Sequence, residues 1–244
     1  MTAVKAAMVK AALSGLYHLR AHRLLAPYTQ GTGIIFALHY VRPPEAPDAS
    51  WQAVPEIADA FLEALLDQVE AEGREVVSLD EAVERLWSDD PKRFVCFTFE
   101  HGYRNTLLHA YPIFKRRGLP FTVYVPSDYP SGRAEPWWIT LEEVLKRADE
   151  IELCRQKQLW RLATKTPAEK QQAFCELKEW LCSIDEMAQR RIVRSLAERY
   201  DIDATELCRP LFLDWDELRT LAADPLVTIG ARLVAQRIGR ELGQ

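Results

Sequence analysis

The stretch from Phe94 to Phe99 constrains the fold of this chain more than any other, because it is a nearly apolar run of strand length. A run of this length, rich in aromatic and β-branched residues, is typical of a strand buried on both faces of a parallel sheet. Glu100, His101 and Gly102 follow it directly. In α/β barrels the reacting groups stand at the carboxyl ends of the strands, so we predict that Glu100 and His101 lie at a functional site.

Strand and helix patterns alternate along most of the chain. We predict strands at residues 34–39, 75–77, 94–99, 121–125 and 227–231. We predict helices at residues 57–72, 79–87, 105–117 and 215–223. This alternation implies an α/β fold with a mostly parallel sheet.

Several helix boundaries carry specific signals. Ser78 is followed three residues later by Glu81, and Asp214 stands in the same relation to Glu217, so each pair can satisfy helix amides that otherwise lack a partner. Gly118 is the residue expected just beyond the last turn of the helix before it.

Residues 140–207 interrupt the alternation of strands and helices. Thr140 and Thr166 are each followed three residues later by a glutamate, so we predict that each begins a helix. A third helix is predicted to start at Asp185 and to end at Tyr200. Apolar residues recur here at helical spacing, which predicts a helical insertion that covers one side of a barrel.

The net charge of −5 over 244 residues gives no support to nucleic-acid binding. The charge is uneven, because residues 1–44 contain five basic side chains and no acidic one. A basic amphipathic segment can lie on an anionic membrane or pack on a protein core, and for residues 1–32 we favour a helical segment packed on the barrel. No run is long enough to span a bilayer, and the N-terminus does not read as a signal peptide.

The five cysteines are odd in number and show no Cys-x-x-Cys spacing. This favours reduced, buried thiols over a disulfide framework. We therefore predict a cytoplasmic protein.

Two separated motifs carry a family resemblance. The segment 97–104 reads Phe-Thr-Phe-Glu-His-Gly-Tyr-Arg and resembles the first motif of the polysaccharide deacetylases, the NodB-homology carbohydrate esterases of family 4, whose pattern is Thr-Phe-Asp-Asp-Gly-Tyr. Segment 226–231 resembles the strand that leads into the family's paired histidines, with further likeness at 33–43 and 77–82. The resemblance covers nearly all of the chain and implies, for residues 33–244, a partial, distorted (β/α) barrel with the helical insertion.

The resemblance also implies a reaction, the hydrolysis of acetyl groups from N- or O-acetylated polysaccharides or oligosaccharides such as chitooligosaccharide. In the family the first Asp is the general base, and the second Asp with two histidines holds a divalent metal, zinc or cobalt, whose water attacks the acetyl carbonyl. Carried onto this sequence, Glu100 takes the base position and His101 the first-ligand position. The two histidine positions hold Arg232 and Gln236, which implies that the metal is not bound and that the activity is weak or absent.

Arg232 determines whether a divalent metal can bind at this site. A guanidinium about 4 Å from a dication is repelled by roughly 8 kcal/mol at an effective dielectric constant of about 20, and arginine cannot lose its proton. Our hypothesis is that the Arg232 cation replaces the metal cation, pairs with Glu100 and leaves His101 as a neutral neighbour. Two alternatives stay open. Either Glu100 and His101 form only a polar turn with Arg232 in solvent, or His101 holds an unusual metal site.

Aromatic residues and a further histidine are candidates for lining a substrate cleft. This group contains Trp51, Tyr103, Tyr129, Trp137 and Trp138, because aromatic rings stack on pyranose rings, although paired tryptophans are more often packed in a core. His39, at the end of the first strand, faces the same cleft in an α/β barrel. It is either a substrate contact or a hydrogen-bonded structural histidine.

Members of the family continue for several strands beyond the second motif, whereas this sequence stops at Gln244. We therefore expect an incomplete barrel, whose unpaired strand edges favour self-association. Three functions stay open. They are an enzyme acting through Glu100 and His101, a sugar-binding pseudoenzyme without hydrolysis, and a vestigial product.

Overall fold

The computed structural model describes residues 31–42, 55–88, 92–155 and 158–232, together with the single positions 8, 14, 15 and 18. The predicted N-terminal helical segment lies almost wholly outside the described residues, and so do Trp51 and Gln236. Within the described part, no helix combines the length and the hydrophobicity that a bilayer-spanning segment needs.

The described strands, in chain order, are β1 (Gly33–Leu38), β2 (Tyr40–Arg42), β3 (Glu56–Ala58), β4 (Glu75–Val76), β5 (Phe94–Glu100), β6 (Phe121–Pro126), β7 (Glu150–Arg155), β8 (Gln158–Ala163) and β9 (Val227–Arg232). The described α-helices are α1 (Asp59–Ala71), α2 (Leu79–Leu86), α3 (Tyr111–Arg117), α4 (Trp137–Arg147), α5 (Pro167–Ser183), α6 (Glu186–Arg199), α7 (Ala204–Cys208) and α8 (Trp215–Ala222). A π-helical turn (Thr106–Ala110) precedes α3, and a 3-10 turn (Arg209–Leu211) follows α7.

One parallel sheet organises the described residues. Its order is β1-β5-β6-β9, and β4 pairs with the start of β5. The predicted α/β fold and its parallel strands are confirmed, each strand lying within one residue of the expected bounds at either end. Among the described strands the sheet is open, with β1 and β9 at its edges, so the partial barrel stays a prediction.

β5 is buried on both of its faces. Its odd-numbered residues pack against α1 and α3 in the main apolar cluster. Its even-numbered residues point to the opposite face, which we call the inner face, where Phe94 and Cys96 contact Val77 and Ala82. Because side chains alternate along a strand, Glu100 also points to the inner face, at the carboxyl end of the sheet.

The insertion, residues 137–208, contains α4 to α7 and the antiparallel hairpin formed by β7 and β8. Helices α4, α5 and α6 pack around a shared apolar cluster that includes Leu141, Leu177 and Leu196. The hairpin was not predicted, so the insertion is not wholly helical. The alternation from Glu150 to Leu153 is a period-two signal for a strand, and it was the available indication of the hairpin.

The predicted start of a helix at Thr140 is wrong. Helix α4 begins at Trp137, with Pro136 at its N-cap position. Trp137, Trp138 and Leu141 are all buried, so the apolar face of the helix extends upstream of Thr140. The Thr140 hydroxyl donates instead to the Pro136 carbonyl at 3.5 Å.

The other predicted N-caps are confirmed. Thr166 and Asp214 each form a complete capping box with the glutamate three residues later. The side chains of Ser78 and Asp185 each accept a hydrogen bond from a backbone amide in the first turn of their helices. These helices therefore start where local hydrogen bonding dictates.

The helix predicted over residues 105–117 is present as the π-helical turn followed by α3. Pro112, near the start of α3, has no amide hydrogen to donate to the preceding turn, and the wider π-helical turn accommodates it. Gly118 ends α3 in the left-handed conformation, with φ of 66°, as predicted.

Candidate functional site

Glu100, His101 and Gly102 form a tight turn at the carboxyl end of β5, which we call the strand-end turn. Its backbone is left-handed at two consecutive residues, with φ of 71° at His101 and 65° at Gly102. A non-glycine residue in this region is uncommon and marks local strain. At Gly102 a side chain is also excluded sterically, because a Cβ there would lie 2.9 Å from Val125. The Leu213 amide donates to the Gly102 carbonyl at 2.9 Å and holds the turn in place.

The carboxylate of Glu100 forms an ion pair with the guanidinium of Arg232. The register of β5, β6 and β9 places both residues on the inner face, so their side chains meet across β6. The Glu100 side chain is 14% exposed and that of Arg232 is 32% exposed. The Thr98 hydroxyl donates a further bond to Glu100 at 3.4 Å. The predicted ion pair is therefore confirmed, and the alternative in which Arg232 points away into solvent is wrong.

The imidazole of His101 is enclosed by other rings, and only 2% of the residue is exposed. The ring centroids of His39, Trp138 and Tyr103 lie 5.4, 5.5 and 5.9 Å from its own. Burial, with a smaller contribution from His39, lowers the pKa of His101 from 6.5 to about 4. The ring is therefore neutral at pH 7, and its Nδ1 has no hydrogen-bond partner among the described residues.

His39 supplies a second imidazole to the site. It directly follows β1, the neighbour of β5 in the sheet. Burial lowers the pKa of His39, and the positive charge of Arg232 lowers it further. His39 therefore lies close to both His101 and the ion pair, at the end of the first strand where the sequence placed it.

Tyr103, Trp137 and Trp138 are buried. The Trp138 indole nitrogen donates to the Tyr103 hydroxyl at 3.4 Å, and the Tyr103 ring stacks on Phe212 at a centroid distance of 4.8 Å. Burial raises the pKa of Tyr103 above its ordinary value. Tyr103 and Trp138 therefore pack beside His101, and Trp137 packs edge-on against Trp138 in the apolar cluster of the insertion. This is the packing alternative.

An open cavity of about 550 Å³ adjoins the strand-end turn. The loop from Tyr129 to Gly132, Arg104 and the segment before α8 line it. Tyr129 connects it to the site, because its ring is stacked with that of His101 at a centroid distance of 6.4 Å.

The sequence interpretation did not assign a role to Arg104 or Phe212, although both help to form this cavity. Arg104 donates to Glu217 at 2.8 and 3.0 Å and to the Pro210 carbonyl at 2.7 Å, so it joins the segment after β5 to α8. Its position two residues after Gly102 was the available signal. Nothing local to Phe212 indicated its contact with Tyr103.

Comparison with known proteins does not identify the family of this chain. No family model and no curated protein matches the chain. A de-N-acetylase from Aggregatibacter actinomycetemcomitans is similar with 17% identity over 82% of this chain and 54% of that chain, at a TM-score of 0.43. The BpsB deacetylase domain from Bordetella bronchiseptica is similar with 15% identity over 81% of this chain and 53% of that chain, at a TM-score of 0.39. This chain spans about half the length of each, and values this low leave its family undecided.

The residues at the strand-end turn do not fit a divalent-metal centre. Zinc sites usually take at least three protein ligands, and the described residues contain no group of three His, Cys, Asp or Glu side chains placed to hold a metal. His101 and His39 are the nearby imidazoles, while Glu100 is engaged by Arg232. A cation placed here would also face the fixed positive charge of Arg232.

Proposed function

We propose that this chain is a polysaccharide deacetylase-like protein in which the metal-dependent hydrolysis of acetyl groups is impaired. The ion pair between Glu100 and Arg232 carries the proposal. The substrate class rests on the resemblance of segment 97–104, which indicates an N- or O-acetylated polysaccharide or oligosaccharide such as chitooligosaccharide.

The state of the basic groups supports impairment. Hydrolysis of an acetamide or an acetate ester needs a base with a free lone pair beside the attacking water. The Glu100 carboxylate accepts from Arg232 and Thr98, so its negative charge is already balanced by a fixed cation that favours the deprotonated form and opposes proton uptake. His101 is a poor substitute, because a base with a pKa of about 4 is weak at neutral pH and the ring is enclosed.

The charge at the site supports the same conclusion. Zinc or cobalt would supply an activated water and polarise the acetyl carbonyl, but the Arg232 guanidinium would repel a dication about 4 Å away by roughly 8 kcal/mol. We therefore propose that the chain does not retain either metal.

Metal content and acetate release from chitooligosaccharide test this function. We expect the wild-type protein to hold no stoichiometric zinc or cobalt and to release no acetate above background. The triple variant His101→Asp, Arg232→His, Gln236→His should gain metal, whereas the matched control Arg232→Lys should not, because it keeps the positive charge. Stoichiometric metal in the wild-type protein that disappears in His101→Ala, together with acetate release, would show that the site is a working enzyme.

The cavity beside Tyr129 favours a second candidate, a pseudoenzyme that binds acetylated carbohydrate without hydrolysing it. Trp215 reports on this region, because its indole nitrogen donates at 3.3 Å to the hydroxyl of Ser131, which lines the cavity, and the residue is 47% exposed. We expect a saturable change in tryptophan fluorescence on titration with chitooligosaccharide, lost in Trp215→Phe and kept in the control Trp87→Phe. The absence of any saturable change would leave the vestigial alternative.

A further inference from the structure

β1 is an edge strand of the parallel sheet in the described part of the chain, where it pairs only with β5. The Phe94 amide donates to the Thr32 carbonyl at 3.2 Å. Because the backbone groups of alternate residues point to the same edge of a strand, those of Gly33, Ile35 and Ala37 point away from β5. Three consecutive outward peptide positions are thus available to another strand.

The side chains of β1 lack the features that usually prevent pairing with another strand. Ile34 is 40% exposed and Ile35 is 56% exposed, and the strand contains neither a charged residue nor a proline. Natural edge strands are commonly protected by charges, prolines or bulges. An unprotected apolar edge of six residues is suited to binding a further strand.

We propose that β1 binds β1 of a second copy of this chain in an antiparallel pair, so that two sheets join across a two-fold axis. This proposal is independent of the proposed function. In the two-fold register Ile35 lies opposite Ile35 of the second copy, and Gly33 lies opposite Ala37. On the other face of the strand, Ile34 lies opposite Phe36, an apolar pair of the kind that stabilises neighbouring strands.

The composition of β1 favours a second copy as its occupant, because the strand contains only apolar residues and glycine, and each position then meets another residue of this kind. The opposite edge strand, β9, is apolar on one face only, because its other face carries Thr228, Gly230 and the ion-paired Arg232. A pairing of β1 with β9 would also be head to tail, which gives a ring or an open filament and not a two-fold dimer. The β1 pair closes as a dimer.

Sedimentation equilibrium tests the proposal. We expect the wild-type protein to sediment with twice the chain mass of 28.0 kDa. Ile35→Lys should sediment as a monomer, because it places two positive charges opposite each other at the two-fold axis. The matched control Trp87→Lys, which changes another exposed apolar residue, should remain dimeric.

A charge-reversal pair defines the register. Ile35→Lys and Ile35→Glu should each be monomeric alone and should form a dimer when mixed in equal amounts. If Ile35→Lys does not fold, as judged by near-UV circular dichroism, Ile35→Thr keeps the strand preference and should weaken dimerisation at least tenfold. The proposal is overturned by a wild-type monomer at all concentrations, by a dimer that persists in Ile35→Lys, or by an equimolar mixture that stays monomeric. If the natural partner of β1 is a peptide from another protein, the wild-type chain alone would be a monomer at all concentrations.

Discussion

The strand-end turn and the insertion are built in opposite ways. In the insertion, local signals and packing agree, since Thr166 and Asp185 cap their helices and Leu177 is fully buried in the apolar cluster. In the strand-end turn they conflict, since His101 combines a left-handed backbone with a buried ring whose Nδ1 lacks a partner in the described structure. Such conflicts persist where surrounding structure enforces them, and they concentrate at functional sites.

The two regions also use charge differently. Arg194 of the insertion pairs with Glu135, just before it, at the protein surface, and an exposed pair of this kind contributes little to stability. Glu100 is shielded on the inner face, with 14% of its side chain exposed, so removal of Arg232 leaves its carboxylate poorly solvated. We infer that the insertion contributes mainly to the stability of the protein, whereas the strand-end turn is held in a strained conformation by the residues around it.

The largest expected effect belongs to the core of the insertion. Leu177→Ala should lower the free energy of unfolding by about 2–5 kcal/mol, because it leaves a cavity at a fully buried position. Urea denaturation followed by circular dichroism measures the change. A loss below about 1 kcal/mol would mean that the cluster repacks freely and contributes less to stability than we infer.

At the strand-end turn, Gly102→Ala should cost about 3 kcal/mol, combining a left-handed alanine with overpacking against Val125. Gly118→Ala is the matched control, because Gly118 has nearly the same φ but no atom within 4 Å of the added Cβ. It should cost only about 1 kcal/mol. Equal losses in the two variants would show that the contact with Val125 is not restrictive.

The pH dependence of stability tests the burial of His101. Its pKa is 6.5 in the unfolded chain and about 4 in the folded protein. Between these values the unfolded chain binds a proton that the folded protein does not, so stability is fully present above pH 6.5 and falls as the pH drops towards 4. The difference amounts to about 3 kcal/mol. The control is His101→Asn, because asparagine tolerates a left-handed backbone. The free energies of unfolding of the wild type and this variant, plotted against pH, should converge as the pH falls. Parallel curves would contradict the burial of His101.

Arg232→Ala should lower stability by about 1–3 kcal/mol at pH 7, because it removes the partner of a shielded carboxylate. Arg194→Ala removes the exposed partner of Glu135 and should change stability by less than about 1 kcal/mol. Thermal unfolding of both variants, set against the wild type, gives the contrast. Equal losses of stability in the two variants would show that the pair of Glu100 and Arg232 contributes no more than an exposed surface pair.

The smallest effect is expected at a helix cap of the insertion. Thr166→Ala removes the side-chain bond to the Glu169 amide and should cost about 1 kcal/mol. Thr166→Ser keeps the hydroxyl and should be close to wild type. Urea midpoints at an unchanged slope resolve a difference of this size. An unaffected Thr166→Ala protein would mean that α5 is held by packing alone.

The elements that were predictable from the sequence are those specified by neighbouring residues. The run from Phe94 to Phe99 identified β5, because a strand buried on both faces must be apolar at consecutive positions. Asp214 and Asp185 identified helix starts, because an N-cap bonds within its own first turn. The hairpin of β7 and β8 and the start of α4 at Trp137 depend on packing between residues that are distant in sequence. The capping pattern at Thr140 therefore predicted the wrong start for α4.

For the site, the sequence by itself determined the position of Glu100 and His101 at the end of a buried strand. Only the tertiary structure decided that Arg232 meets Glu100, that His39 lies beside His101, and that Trp137 and Trp138 form a wall and not an open surface. The physical reason is distance along the chain. Caps and strand composition act over a few residues, whereas an ion pair between separate strands exists only once the sheet has brought their ends together.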